Sequence, residues 1–231
     1  MADDDEAGCK VEYLDTADGT PEETNWILRA GRARVTYVNG NTFEGNFDAE
    51  RVKQGDGVFT WMKPGEEDDS FVERAKYSGN YKDGQRSGQG KMVYPNGDIY
   101  EGEWSENTMQ GEGSYTYKKT NDIYSGTWAE NKKNGEGRYE FGSDSSVLVG
   151  NWVNGEISTG TWELIGAGRY EGDFKKGRPL GEGRFDFTNG ICQEGEYVVQ
   201  KVEGEDEEPE GEEEDQTPPN VAWKGRPIVS F

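Results

Sequence analysis

Aromatic and polar residues alternate along this chain in short runs that end at turn-forming residues. Tyr77, Gly79 and Tyr81 take one side and Ser78, Asn80 and Lys82 the other, which is the two-residue period of a strand. Asp83-Gly84 then marks a turn. Gly88, Gly90, Met92 and Tyr94 alternate with Gln89, Lys91 and Val93 in a second strand, and Pro95-Asn96-Gly97-Asp98 closes the segment with another turn. One such segment predicts one β-hairpin.

The segment recurs. An aromatic, Gly two residues on, an aromatic four on and Gly-x-Gly eleven and thirteen on is read six times, from Phe43, Tyr77, Tyr100, Tyr124, Leu148 and Tyr170. The last five starts lie 23, 24, 24 and 22 residues apart, and a fixed period in the twenties is the signature of a repeat array. Superposed, the units place Tyr100, Trp104, Tyr115, Tyr117, Tyr124, Trp128, Tyr139 and Phe141 on one face. Glu101, Glu103, Glu112, Glu136, Arg138 and Glu140 fall on the other, the half-solvated pattern of antiparallel sheets. Gly weakens a strand by roughly 0.5–1 kcal/mol relative to Ala, so glycines on the aromatic face need a reason. Room for a neighbour's ring to lie flat on the backbone supplies one. The expected fold class is all-β, an elongated single-layer antiparallel sheet of successive hairpins with disordered acidic tails.

Two units break the pattern. The Leu148 unit has Thr159 and Thr161 where the glycines belong, with Gly160 between them, so its second strand is expected to pack differently. Phe43 and Tyr77 are 34 residues apart, and the surplus, Gly65 to Lys76, reads as a long loop projecting from the sheet. A half-unit from Gly31 leads the array, and Gln193–Tyr197 trails it.

Composition narrows the function classes. Only 31% of the 231 residues are hydrophobic, yet there are 12 Tyr, 7 Trp, 9 Phe and 34 Gly, which suits a thin sheet better than a globule. The formal charge of −22 repels phosphate backbones and anionic bilayers, which argues against nucleic acid as a partner and makes a membrane unlikely. It favours basic protein partners or serves solubility alone. Cys9 and Cys192 build no disulfide framework, there is no basic-then-apolar leader, and no apolar run approaches about 18 residues. A soluble intracellular protein is the expectation. Four segments follow: 1–30, an acidic extension with an apolar cluster at Trp26, Ile27 and Leu28; 31–200, the repeats; 201–216, an acidic linker; and 217–231, a Pro-containing tail.

The motif Y-x-G-x-[WF]-x-x-G-x-x-x-G-x-G, present as YEGEWSENTMQGEG and YEGDFKKGRPLGEG, resembles the MORN repeat over residues 31–197. That resemblance implies an array of hairpins but leaves function open. A narrower resemblance, to the MORN-repeat subunits of the radial spoke head of motile cilia and flagella, rests on three features. They are the glycine-poor unit ending in Glu163-Leu164-Ile165, the stretch Cys192-Gln193-Glu194-Gly195-Glu196-Tyr197, and Trp223-Lys224 after the acidic tract. It implies an axonemal scaffold that sits with other spoke-head subunits, touches the central-pair apparatus transiently and takes part in control of motility. The insertion before Tyr77 and the short C-terminal tail depart from that pattern. Self-association stays open.

The chain has no histidine, which removes the commonest general base and zinc ligand. Gly84–Met92 lacks the spacing of a phosphate loop, and Glu66-Glu67-Asp68-Asp69 lacks the ligand order of an EF-hand. No enzyme activity, cofactor or metal is expected. The aromatic face, with Tyr81, Trp104, Trp128, Trp152 and Phe174, is either internal core or a stripe that receives another chain or the protein's own tails. The C-terminal tail is either frayed or a docking strand anchored by Trp223 and Ile228. The alternative to a spoke scaffold is one that tethers membranes through phosphoinositides, using Lys118-Lys119, Lys132-Lys133 and Lys175-Lys176. A third reading, an accessory array of an enzyme such as a phosphoinositide kinase or SET-domain methyltransferase, needs a catalytic segment that does not accompany these repeats.

Overall fold

The computed structural model describes residues 8–16, 22–24, 29–66, 70–200 and 220–228. The Trp26–Leu28 cluster, most of the Glu66–Asp69 run and the acidic linker lie outside them. All regular structure among the described residues is β, and the chain divides into two compact units, Met1–Lys119 and Thr120–Phe231.

The first unit holds β1 (Lys10–Tyr13), β2 (Glu22–Thr24), β3 (Gly31–Thr36), β4 (Thr42–Phe47), β5 (Lys53–Pro64), β6 (Phe71–Lys82), β7 (Gln85–Val93), β8 (Ile99–Ser105) and β9 (Thr108–Thr116). From β3 onward each strand pairs antiparallel with the next, while β1 lies between β2 and β3. The second unit runs in simple succession through β10 (Ile123–Ala129), β11 (Lys132–Glu140), β12 (Val147–Val153), β13 (Glu156–Leu164), β14 (Gly168–Lys175), β15 (Arg178–Phe187), β16 (Cys192–Val199) and β17 (Val221–Gly225). Each is a single antiparallel layer of hairpins, as the period-two pattern predicts. The N-terminal extension is not merely acidic: Val11 and Tyr13 are buried, with Val11 opposite Val35.

Turn chemistry fixes the hairpins. Asp83-Gly84, Glu106-Asn107, Glu130-Asn131, Asn154-Gly155 and Lys176-Gly177 all have both φ angles positive, the type I′ geometry whose twist matches the flanking strands. The Phe43 unit is one residue longer, so its glycines stand at Gly55 and Gly57, twelve and fourteen on rather than eleven and thirteen. Asp48 closes its larger turn by accepting from the backbone N–H of Val52 at 2.8 Å and of Glu50 at 3.0 Å.

The two glycines of Gly-x-Gly do different work. The first sits at a bulge in left-handed geometry, with φ of 68° at Gly88 and 66° at Gly111. The second faces the Gly of the preceding strand, as Gly90 faces Gly79 and Gly113 faces Gly102. The ring that lies on this pair is the unit's own first aromatic. A Cβ on Gly90 falls 2.6 Å from Tyr77 Cζ, and one on Gly79 falls 2.5 Å from Gly90 Cα. Tyr77, Tyr100, Tyr124, Tyr170 and Phe43 are 0% exposed in consequence.

One expectation needs correction and one needs detail. The surplus before Tyr77 is not a projecting loop. Its second half, Phe71–Lys76, is strand, because β5 and β6 stay paired from Gly55↔Tyr81 to Pro64↔Phe71. The Leu148 unit packs differently, as its sequence predicts, but keeps a facing glycine pair: Gly150 faces Gly160. One residue is missing from its second strand, and the missing glycine is the left-handed one. Trp152 pairs with Ile157 there, while Tyr81 pairs with Arg86 in the regular unit. Ile157 Cδ1 lies against both glycines where a Tyr ring otherwise rests.

Candidate interaction faces

A strand pair directs alternate side chains to one face, but the rings on that face are free to lie along the sheet. They do. Trp104 stands edge-on to Tyr77 at 5.4 Å and to Tyr100 at 5.2 Å. Trp152 and Trp128 each approach Tyr124 edge-on at 5.2 Å. Edge-to-face pairs at this distance contribute about 0.5–1.5 kcal/mol beyond burial. The predicted anchors therefore go into internal core: Trp104 and Trp128 are 4% exposed, Trp152 5%, Tyr81 6% and Phe174 7%. Rings left half-buried are those of the second strands and their turns, among them Tyr117, Phe141, Trp162 and Phe187.

Tyrosine hydroxyls finish the core. Tyr77 donates to Asn80 O at 3.0 Å, Tyr100 to Glu103 O at 2.9 Å and Tyr124 to Thr127 O at 3.1 Å. Burial pushes Tyr77 up to about 12.

A clasp recurs two residues before the first ring of a unit. Asp98 accepts from Tyr115 Oη at 3.0 Å and from the backbone N–H of Lys118 at 2.8 Å. Asp122 accepts from Tyr139 Oη at 2.7 Å and from Gly142 N–H at 2.8 Å. Asn41 accepts from Met62 N–H at 2.8 Å, and Ser146 takes the indole N–H of Trp162 at 3.4 Å. Burial works against the Asp122 carboxylate, yet Tyr139, Gly142 and Thr120 hold its pKa below the usual range. Sequence reading missed these residues. The signal was the polar residue repeated two places ahead of Phe43, Tyr100, Tyr124 and Leu148.

Cations lie on the same rings. Lys133 Nζ stands 4.4 Å from the Trp152 centroid, 4.8 Å from Tyr139 and 5.3 Å from Tyr124. Arg86 covers Trp104 at 4.3 Å, and Lys53 covers Phe59 at 4.8 Å. Burial lowers the Lys133 ammonium to about 8, against the pull of Asp122. The Lys132-Lys133 cluster thus gives one of its two charges to the core.

The opposite face carries exposed, paired charge. Arg34 joins Glu44 at 2.8 Å, Lys91 joins Glu101 at 3.2 Å, Arg138 joins Glu140 at 3.0 Å, and Asp186 joins both Arg169 at 3.0 Å and Arg184 at 2.7 Å. The Arg34 guanidinium holds Glu44 below the ordinary carboxylate range. Such pairs are worth about 0–1 kcal/mol each, so this face is a charge pattern rather than a source of stability.

The tail is not frayed over its described part. β17 pairs with β16, Trp223 packs on Tyr197 at 5.1 Å, and Ile228 stays 54% exposed. Of the two tail anchors, Trp223 is seated and Ile228 is open.

Comparison with known families places this geometry. Residues 77–99, 100–121, 124–146 and 170–192 match the family model of the MORN repeat. The units from Phe43 and Leu148, one residue long and one short, are outside the match. A search of curated proteins finds no match. Among solved structures, the chain is similar to the TCP domain of SAS-4 (dCPAP) of Drosophila melanogaster, solved with a proline-rich motif of Ana2 (dSTIL). Identity is 16%, coverage is 80% of this chain and 82% of that one, and the TM-score is 0.31. The rings on paired glycines, the type I′ turns and the family match converge on one description: four segments of this chain match the MORN repeat.

Proposed function

We propose that this protein is a noncatalytic scaffold subunit of the radial spoke head of motile cilia, placed among other spoke-head subunits and in transient contact with the central-pair apparatus. MORN repeats support an interaction or membrane-associated scaffold in general terms. The spoke-head reading rests on the resemblance through Cys192–Tyr197 and Trp223-Lys224. The observation that carries it is that these two stretches, far apart in sequence, are neighbouring strands of one sheet, with Tyr197 opposite Trp223. The shared features thus form one structural element.

The division of the sheet suits this role. Internal ring packing and ladder hydrogen bonds stiffen each unit, so a load passes along strands without a deep core. An outer face rich in Glu within a −22 chain would let the head touch a moving surface without adhering to it. Subunit contacts fall to the half-buried rings, Tyr117, Phe141, Trp162 and Phe187.

Cell fractionation tests the assignment. The protein is expected in demembranated axonemes, released by high salt together with spoke subunits. Recovery in the detergent-soluble membrane fraction would overturn the spoke reading in favour of a membrane-tethering scaffold.

A further inference from the structure

Gln193 holds the place that a tyrosine fills in the regular units, with Gly195 two residues on and Tyr197 four on. β16 is thus the first strand of a seventh unit, and β17 is its second, in register from Gly195↔Gly225 to Val199↔Val221. The glycine pair keeps its tight approach: a Cβ on Gly195 falls 2.7 Å from Trp223 Cζ2 and 2.8 Å from Gly225 Cα, and one on Gly225 meets the Gln193 amide. The Trp223 ring takes the covering role, 5.6 Å from Phe185 and 6.0 Å from Tyr170. Its indole N–H donates to Gln193 Oε1 at 3.0 Å. Beyond it, Arg226 reaches both oxygens of Glu182, at 2.6 and 2.7 Å, and lies 3.8 Å from Glu194.

The connection is what sets this unit apart. Gln200 N–H donates to Asn220 O at 2.8 Å, so the strand ends meet as in any hairpin. Residues 201–219 nevertheless join them, with Glu or Asp at ten of these 19 positions, where the neighbouring Lys175–Arg178 hairpin turns in two residues. Closing a connection of 19 residues costs more chain entropy than a two-residue turn, which lowers the effective concentration of β17 at its own edge. A short strand on a long tether exchanges more readily than one closed by a tight turn.

We propose that the outer edge of β16 is a strand-acceptor site, held in cis by residues 221–226, and that it takes an extended basic partner segment of the form aromatic-x-Gly-Arg in place of Trp223-Lys224-Gly225-Arg226. Each requirement has a physical source. The glycine must face Gly195, since a Cβ there would displace the Gln193 amide, which accepts from the indole N–H of Trp223 and donates to Arg226 O. The ring must enter the space beside Phe185 and Tyr197. The cation answers Glu182 and Glu194 at the rim of a chain whose net charge is −22. Main-chain pairing supplies affinity and these pockets supply choice, which is the logic of strand addition. The inference names a partner chemistry for the scaffold proposed above. It depends on that proposal only for its cellular setting, because binding in solution is independent of where the chain fractionates.

A fluorescent peptide of sequence NVAWKGRPIV, titrated into the full chain and into its Trp223→Ala variant, tests it. The variant is expected to bind at least ~10-fold more tightly than the unaltered chain, whose own strand competes at the effective concentration of a tethered segment. Peptides with Trp replaced by Ala, or Gly by Val, are expected not to bind. Should the variant misfold, hydrogen exchange on the unaltered chain decides. Excess peptide should speed exchange at Val221–Gly225 while Gly195–Val199 stay protected. Absence of binding to both chains with no change in exchange would overturn the proposal, as would equal binding of the altered peptides. A doubling of mass without peptide, through exchange of β17 between copies, would overturn the basic-partner reading in favour of a second copy of this chain.

Discussion

The hairpins that start at Tyr124 and Leu148 are neighbours in one unit and solve the same packing problem differently. In the first, a Tyr ring lies across Gly126 and Gly137, its hydroxyl bonds Thr127 O, and a left-handed Gly135 opens the bulge that lets this happen. In the second, the first side chain is Leu, the left-handed glycine is gone, the bulge shrinks to Ser158, and Ile157 lies over Gly150 and Gly160. Both keep the close glycine pair. The invariant is therefore the flat backbone patch, and the ring is one of two ways to cover it. A planar ring is seated beside a wide bulge that holds a left-handed glycine, whereas a branched aliphatic on the second strand covers the patch beside a bulge of one extra residue, Ser158.

Replacing the patch should hurt the ring-covered unit most. A Cβ at Gly126 meets Glu136 O and Gly137 Cα at 2.5 Å, both backbone atoms that cannot step aside. Gly126→Val is expected to cost more than about 4 kcal/mol in urea denaturation, enough to abolish cooperative unfolding of residues 120–231. Gly160→Val also meets backbone, at Val149 O and Gly150 Cα, but should cost less because its third neighbour, Ile157 Cδ1 at 3.1 Å, can move. Equal losses would remove the distinction between the two covers.

Next in size, Ile157→Ala uncovers the aliphatic patch and leaves a cavity, for an expected loss of about 3 kcal/mol. The clasps give a smaller contrast. Asp122→Asn weakens a charge-assisted bond from Tyr139 and should cost about 1–2 kcal/mol, while Ser146→Ala gives up a long bond from Trp162 and the hydroxyl's bond to Asp144 and should cost about 1 kcal/mol.

The finest comparison is by pH. Lys133 and Ile157 occupy the same position, nine residues after the first side chain of their units. The folded Lys133 pKa is about 8 against 10.5 ordinarily, so between those values the unfolded chain binds more protons and stability rises with pH. The buried tyrosines act the other way: Tyr170 is raised to about 12, so their contribution is lost as pH climbs above 10. Thermal melts should show a rise of about 1 kcal/mol from pH 8 to 9.5 and a fall beyond 10, and Lys133→Met should erase the rise alone. A rise that survives the substitution would show that Lys133 does not carry it.

Much of this was legible in the residues. Alternation gave the strands, Asp-Gly and its equivalents gave the turns, and the glycine period gave the ring contacts. What escaped was set by directions a period cannot encode. A two-residue repeat says which face Trp104 points to, but not that its ring lies down between Tyr77 and Tyr100 instead of standing toward a partner. The Gly-x-Gly pair looked like one device because its members share a face pattern, although one supplies a backbone angle and the other an absence of volume. Phe71–Lys76 read as loop because acidic residues precede it, yet strand pairing with Trp61–Pro64 outweighs local composition. Asp98 and Asp122 were hidden as turn residues, since their tyrosine partners lie 17 positions away.

Each Trp–Tyr contact described above is also an optical pair. At 5.2–5.4 Å between ring centres, light absorbed by Tyr77, Tyr100 or Tyr124 passes to the adjoining tryptophan before it can be emitted. The intact array should be dark at tyrosine wavelengths although it holds 12 tyrosines. Because Trp104 bridges Tyr77 and Tyr100 of consecutive hairpins, prying those two hairpins apart would switch tyrosine emission back on at that joint. The chain thus carries its own strain gauge, readable without a label while a load is applied.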